Sequence, residues 1–377
     1  MDQNKKLLAI GEALIDFIPD RTGCAFEEVT AFSPKLGGAP VNVLGAFSAL
    51  GGKAGLLTAL GEDGFGRRIL GELAAAGIDT AGVRLTDRAN TALAFVSLDE
   101  SGERSFSFYR SPSADMLFSA DDLDPACFGG SFALHFCSVS LGDFPMKEAH
   151  RRAIALAREA GALVSFDPNL RFPLWKERSA LFRAVWEFLP KAHILKLSEE
   201  ELPFLLGGKS GLAEQEAARA LLIGEVTLLL LTRGGAGASA YLRRKDGSLL
   251  SLSVPGCPAK TVDTTGAGDG FVGSFLFFLA QSGVTPQSLA ALSEKKLAEV
   301  LFFANRFAAA STACYGAFAS YREAARLVLG QADDAGEGAE REAEKKAENE
   351  AEKKDGEEPG RMCGGRTEGA KSEARSS

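Results

Sequence analysis

Short apolar runs alternate with longer amphipathic segments along most of this 377-residue chain, and that rhythm limits its fold more than any other feature. The stretches Leu7–Ile18, Ala54–Leu60, Ala133–Ser140, Leu163–Phe166, Ile194–Leu197 and Val226–Thr232 read as strands. Between them, Val41–Leu50, Phe65–Ala76, Lys147–Ala160, Leu181–Leu189 and Glu214–Ile223 carry helical patterns, and Glu294–Cys314 reads as one long helix. Strand–helix alternation of this kind implies an α/β fold, a mostly parallel central sheet flanked by helices on both faces.

Two regions break the rhythm. Residues 21–36 and 90–110 hold strand-like stretches, among them Thr91–Leu98 and Ser105–Arg110 around a turn at Asp99–Gly102. They read as hairpins rather than strand–helix–strand units. Paired into a small second β-sheet beside the main one, they would form a lid over a ligand.

Composition excludes several classes. The net charge of −8 is not that of a nucleic-acid binder, which carries a basic excess. The longest apolar stretch, Phe271–Ala280, is too short to span a bilayer, so no membrane partner is expected. No signal peptide is read at the N-terminus, where residues 1–6 are polar and Gly11-Glu12 breaks the apolar run Leu7–Ile10. The six cysteines show no C-x-x-C spacing and read as reduced thiols of a cytoplasmic protein. From residue 331 to 377 there are 14 acidic and 9 basic residues, with Met362 the one large apolar side chain. Such a segment cannot bury enough surface to offset the entropy of ordering. The expected organisation is therefore one domain over residues 1–330 and a disordered charged tail over 331–377.

The sharpest chemical signal is Asp263-Thr264-Thr265-Gly266-Ala267-Gly268-Asp269-Gly270-Phe271, after which an apolar helix runs to about Gln281. Alternating glycines let a tight turn point several backbone N–H groups at one spot, and the helix dipole adds partial positive charge there. That arrangement suits a phosphate. Asp269 stands at the helix start, where it can take a proton from an alcohol. The helix dipole and nearby N–H groups are expected to favour its ionised form. The plainer alternative is a turn whose aspartate only caps the helix. A second signal is Gly37-Gly38-Ala39-Pro40-Val41-Asn42. Adjacent glycines let backbone approach a ligand closely, and Asn42 offers the donor and acceptor a polyol needs.

Together these segments resemble the two signatures of the ribokinase-like (pfkB) carbohydrate kinases, the first continuing through Gly61-Glu62-Asp63-Gly64-Phe65-Gly66. The likeness covers about residues 7–325. It implies a ribokinase-like fold with a β lid, which in turn suggests a homodimer through that lid. It also implies in-line transfer of the ATP γ-phosphate to a small sugar, with Mg²⁺. In the resemblance Asp269 is the base, Gly266, Ala267 and Gly268 form an anion hole, and Asp16, Gly37, Gly38 and Asn42 meet the sugar. The segments Gly11–Asp16, Phe108–Met116 and Phe166–Arg171 resemble the fructokinase branch, and add Arg110 and Arg171 to the sugar site. Lone arginines are otherwise more often surface ion pairs. The substrate expected is D-fructose, giving fructose 6-phosphate; 2-keto-3-deoxygluconate and ribosides stay open, as does an inactive relative serving as a binding protein.

The family's N-x-x-E motif stands here as Ser198-Glu199-Glu200-Glu201, so Glu201 matches the carboxylate that holds Mg²⁺ through water, and Ser198 departs from the pattern. On the ATP side the resemblance points to Thr232, Gly234, Gly237, Asn305 and Lys196. A monovalent cation such as K⁺ is implied near the anion hole, with Asp263 and Thr265 as two ligands and the Ala313–Ser320 loop supplying others.

Overall fold

The computed structural model describes residues 5–21, 23, 26–98, 104–208 and 211–330. The chain divides into Met1–Val328 and Leu329–Ser377, and of the second unit only the first two residues are described. The charged tail expected over 331–377 and the turn at Asp99–Gly102 lie outside the described residues.

In chain order the strands and helices begin β1 (Lys6–Ile10), β2 (Leu14–Pro19), β3 (Phe32–Gly37), α1 (Ala39–Ala49), β4 (Lys53–Gly61), α2 (Gly64–Ala75), β5 (Ile78–Asp79) and β6 (Val83–Thr86). There follow β7 (Ala92–Leu98), β8 (Arg104–Tyr109), β9 (Ser131–Cys137), α3 (Pro145–Glu159), β10 (Leu163–Asp167), α4 (Arg178–Phe188), β11 (Ile194–Ser198) and α5 (Leu202–Leu205). The rest are α6 (Glu214–Leu221), β12 (Leu228–Thr232), β13 (Ala238–Arg243), β14 (Leu249–Val254), α7 (Ala267–Gln281), α8 (Pro286–Leu289), α9 (Glu294–Ser311) and α10 (317–330).

The main sheet has ten strands in the order β14-β13-β12-β11-β10-β9-β1-β4-β5, with β6 also on β4. It is parallel from β12 onward and antiparallel only at β13 and β14. Its strands are apolar on both faces because both are covered. In β1, Leu7 and Ala9 join one core while Leu8 and Ile10 join the other. In β12, Leu228 and Leu230 divide from Leu229 and Leu231 in the same way. The period-two alternation of a strand sends successive side chains to opposite faces. The first core is closed by α1, α7 and α9, and the second by α3 and α4.

The second sheet has the order β3-β2-β7-β8. The run expected as a single strand over Leu7–Ile18 is two. Gly11, at φ 145°, breaks it, so that β1 enters the main sheet and β2 the small one. The stretch 90–110 forms the expected hairpin, β7 pairing antiparallel with β8, but residues 21–36 do not: β3 pairs antiparallel with β2, which pairs parallel with β7, so the small sheet draws on three separate stretches of chain. Alternation along β2 turns Asp16 and Phe17 to opposite faces. Phe17 stacks on Phe95 with ring centroids 4.7 Å apart, and Phe32 meets Phe95 edge-on at 5.3 Å.

Candidate active site

Two helix starts meet at the C-terminal edge of the main sheet. Helix α1 begins after Gly38 at φ 105°, and α7 begins after Gly266 at φ 72°. The helices touch backbone to backbone because α7 carries Gly273 at the crossing. A Cβ there would stand 2.5 Å from the Val43 carbonyl oxygen and 2.7 Å from the Ala46 Cβ. That approach brings Asn42 to Asp269: its Nδ2 donates to Oδ2 at 2.9 Å. From the far side Asn169, held at φ 45°, donates its Nδ2 to Oδ1 at 3.3 Å. Both oxygens of the carboxylate are thus oriented by amides.

Asp269 does not cap the helix; Gly266 is the N-cap and Asp269 lies inside the first turn. It is 8% exposed. The expectation that it ionises readily is corrected. Burial pushes its pKa up to about 6; the Asn42 hydrogen bond pulls the other way, and neighbouring Asp167 adds to the rise. A carboxyl near 6 is better matched to taking a proton at neutral pH than one near 4.

The glycine turn before α7 is packed against the late helix. Tyr321 donates its hydroxyl to the Gly266 carbonyl at 2.7 Å, and a Cβ on Gly266 would fall 2.3 Å from that of Ala317. Under the turn lies Lys196, whose Nζ stands 3.4 Å from the point a Gly268 Cβ would occupy. Lys196 donates to Asp167 Oδ2 at 2.9 Å. Burial works against its charge, but the carboxylates of Asp167 and Glu201 outweigh burial and raise its pKa.

Asp16, Gly38, Asn42, Arg110, Arg171 and Asp269 line one pocket. Gly37 sits beside it: a Cβ there would be 2.1 Å from Asp16 Oδ2, so the glycine makes room for that carboxylate. The buried Asn42 Oδ1 has no hydrogen-bond partner among the described residues, an acceptor suited to a hydroxyl. Arg110 is no surface arginine. It is 7% exposed, pairs with Asp115 through Nε and Nη2, and donates Nη1 to the Val139 carbonyl at 3.2 Å.

A family model for the pfkB family of carbohydrate kinases matches residues 4–324. The chain belongs to that family. It is 43% identical over 314 residues to Fructokinase-1 of Zea mays, covering 83% of this chain and 94% of that one. A crystal structure of a fructokinase from Xylella fastidiosa with bound ATP superposes with a TM-score of 0.76 at 34% identity, over 87% of this chain and 99% of that one. One from Vibrio cholerae in fructose, ADP and calcium ion bound form gives 0.73 at 32%, over 85% and 96%. The ribokinase-like α/β fold expected from the two signatures is the fold observed.

In this carbohydrate kinase Thr265 and Gly266 also line the sugar-side pocket, while most of the other expected residues lie away from it. Thr232 ends β12, Gly234 (φ 50°) and Gly237 (φ 101°) form the turn into β13, and none of them lines that pocket. Asn305 in α9 donates to the carbonyls of Val254 and Pro255 at 3.2 and 3.1 Å, and so fastens the chain leaving β14. Glu201 accepts from Leu170 N at 2.7 Å and from Ser198 N at 2.8 Å, tying the loop after β10 to the end of β11. Asp263 accepts from Thr265 N and Oγ1 at 2.7 and 2.6 Å and from Gly316 N at 2.9 Å. It therefore joins the glycine turn to the loop before α10. Sequence reasoning missed Asn169 and Glu12. Asn169 stands in Asp167-Pro168-Asn169, a turn composition that tolerates left-handed backbone, and that signal was available. Glu12 stands at the break after β1, inside the Gly11–Asp16 segment, where nothing local marked it apart from Asp16.

Proposed function

We propose that the protein transfers the γ-phosphate of ATP to the primary 6-hydroxyl of D-fructose. The observation that carries this reading is the buried Asp269 carboxylate, oriented by two amides at the head of a glycine turn and opening on a polar pocket. The fructokinase relatives support the same substrate. Asp269 takes the hydroxyl proton as the acceptor oxygen attacks. The N–H groups of Gly266, Ala267 and Gly268, with Lys196 beneath, face the charge on the transferred group. Asp16, Gly37, Gly38, Asn42, Arg110 and Arg171 hold the sugar. Thr232, Gly234, Gly237 and Asn305 line the nucleotide's path.

No group of three or more His, Cys, Asp or Glu side chains among the described residues is placed to hold a metal ion by itself. We assign Glu201, whose carboxylate also accepts from Leu170 N and Ser198 N, to an Mg²⁺ ion that would arrive with the phosphates and be reached through water. Such an ion would neutralise phosphate charge. We assign Asp263 and Thr265 as ligands of a monovalent cation such as K⁺. The half-buried Phe17, Phe32 and Phe95 with exposed Tyr109 give the lid an aromatic face suited to a second copy of the chain. Sedimentation of the purified protein as a monomer at micromolar concentration would remove that part of the reading. We place the protein in the reducing cytoplasm, where Cys127, Cys137, Cys257 and Cys314 would stay thiols.

An ADP-release assay against a panel of sugars tests the substrate. Fructose is expected to give the highest kcat/KM. A higher value for 2-keto-3-deoxygluconate or a riboside overturns the assignment.

A further inference from the structure

Four chain crossings join the lid to the main body: residues 11–13, 38, 87–91 and the stretch from 110 onward. One connected set of hydrogen bonds visits all four. Glu12, in the first crossing, accepts through Oε1 from Ala39 N at 3.2 Å, just past the second. Through Oε2 it accepts from Ser140 Oγ at 3.0 Å. Ser140 follows β9 in the main body, and its Oγ also accepts from Arg110 Nη2 at 3.2 Å, at the fourth crossing. Arg110 is locked to Asp115, and the neighbouring Ala114 N donates to the Asn90 carbonyl at 2.8 Å, in the third.

Glu12 is 2% exposed. A carboxylate is costly to bury, and this one borders Asp115 as well as Arg110. A chain that needed only packing here would be better served by an apolar side chain. What the carboxylate supplies is two acceptors that reach in different directions, one to the start of α1, which carries Asn42, and one to Ser140 and through it to Arg110. Of the five N–H donors of Arg110, four are used in these contacts, and the fifth remains on Nη1 in a side chain that lines the pocket.

We infer that Glu12 is a positioning residue for the acceptor sugar, seating the lid on the pocket and aiming Arg110 through Ser140. This rests on the reading of that pocket as the sugar site. Replacing Glu12 by Ala leaves the Ala39 N–H and the Ser140 hydroxyl without their partner and releases the lid from the main body.

The test combines kinetics with hydrogen exchange on the full-length protein. In Glu12→Ala the KM for the acceptor should rise about tenfold or more, with kcat within about threefold and the KM for ATP unchanged. Without any ligand, amides of β3 should exchange faster while those of β9 keep the wild-type rate. Glu12→Gln should recover most of the acceptor KM, since its carbonyl can accept from Ala39 and its amide can donate to Ser140. Ser140→Ala should raise the same KM less, and should add nothing in the Glu12→Ala background. A folded Glu12→Ala with normal acceptor KM and normal lid exchange overturns the inference. So does a parallel loss in both KM values and in β9 protection, which is the mark of a merely structural role. If Glu12→Ala does not fold, Ser140→Ala decides on the same readouts, and normal values there overturn it. The exchange measurement needs no sugar, so a wild-type enzyme that ignores fructose would sink the substrate reading while leaving this one to stand or fall separately.

Discussion

In the proposed reading the acceptor side of the site is built from side chains, and the phosphate side from backbone. Around Asp269 the working groups are the amides of Asn42 and Asn169 and the guanidinium of Arg110, each fixed by a named partner. Around the glycine turn the working groups are N–H donors, and their position depends on what is missing, namely a Cβ atom at Gly266. The two sides should therefore fail differently. Removing a side-chain atom stops the chemistry on the first. Adding one distorts the frame of the second.

The largest effect should come from Asp269→Asn. It keeps the size and most hydrogen bonds but removes the proton acceptor, so kcat should fall about 10²–10⁴-fold with ATP affinity unchanged. A stable variant retaining more than about a tenth of kcat would end the assignment of Asp269 as base. The same substitution carries a stability sign. A carboxyl whose pKa is about 6 folded and 3.8 as its ordinary value favours folding fully below about 3.8 and loses that contribution as pH rises through about 6. Asn cannot ionise, so the variant should gain stability relative to wild type between pH 4 and pH 8, by an amount on the order of 2–3 kcal/mol. Urea titrations at the two pH values measure it.

Next in size is the pH dependence of the wild-type enzyme. Because the base must be deprotonated, kcat/KM should drop about tenfold per pH unit below about 6. An acid limb near 4 would mean that burial does not control Asp269. The backbone side is tested by Gly266→Ala. Its residue sits at φ 72° and its new Cβ would collide with Ala317, so stability should fall by about 1–3 kcal/mol and turnover with it. Smallest of all should be Gly235→Ala, in the turn after β12, where a Cβ meets nothing within 4 Å. Thermal melts of the two glycine variants side by side show whether the close-packed turn alone is intolerant.

The same division explains how much could be read in advance. Backbone-built features announce themselves, because glycines at fixed spacing and apolar runs are local patterns. The glycine turn, the Gly37-Gly38 pair and the flanked parallel sheet were legible for that reason. The antiparallel addition of β13 and β14 was not, since Ala238–Arg243 and Leu249–Val254 pair with the sheet's edge rather than follow its alternation. The split of Leu7–Ile18 was missed because an apolar run does not reveal that two sheets share it. The raised pKa of Asp269 was read with the wrong sign. The helix dipole is a local property of sequence, whereas the burial that raises the pKa comes from packing by distant elements. Glu12 and Asn169 escaped for a similar reason, since their partners Ser140 and Asp269 lie 128 and 100 positions away.

The bond between Asn42 and Asp269 spans 227 positions of the chain. Contacts of such separation form late when a polypeptide folds, because the entropy of closing long loops must be met before they are made. During synthesis the ribosome releases Asn42 long before Asp269 exists. A nascent or half-refolded chain therefore contains no oriented base, however much of its sheet has formed. Recovery of catalysis in a refolding experiment should trail recovery of helical circular dichroism, and ATP cannot be spent by a chain that has not finished assembling.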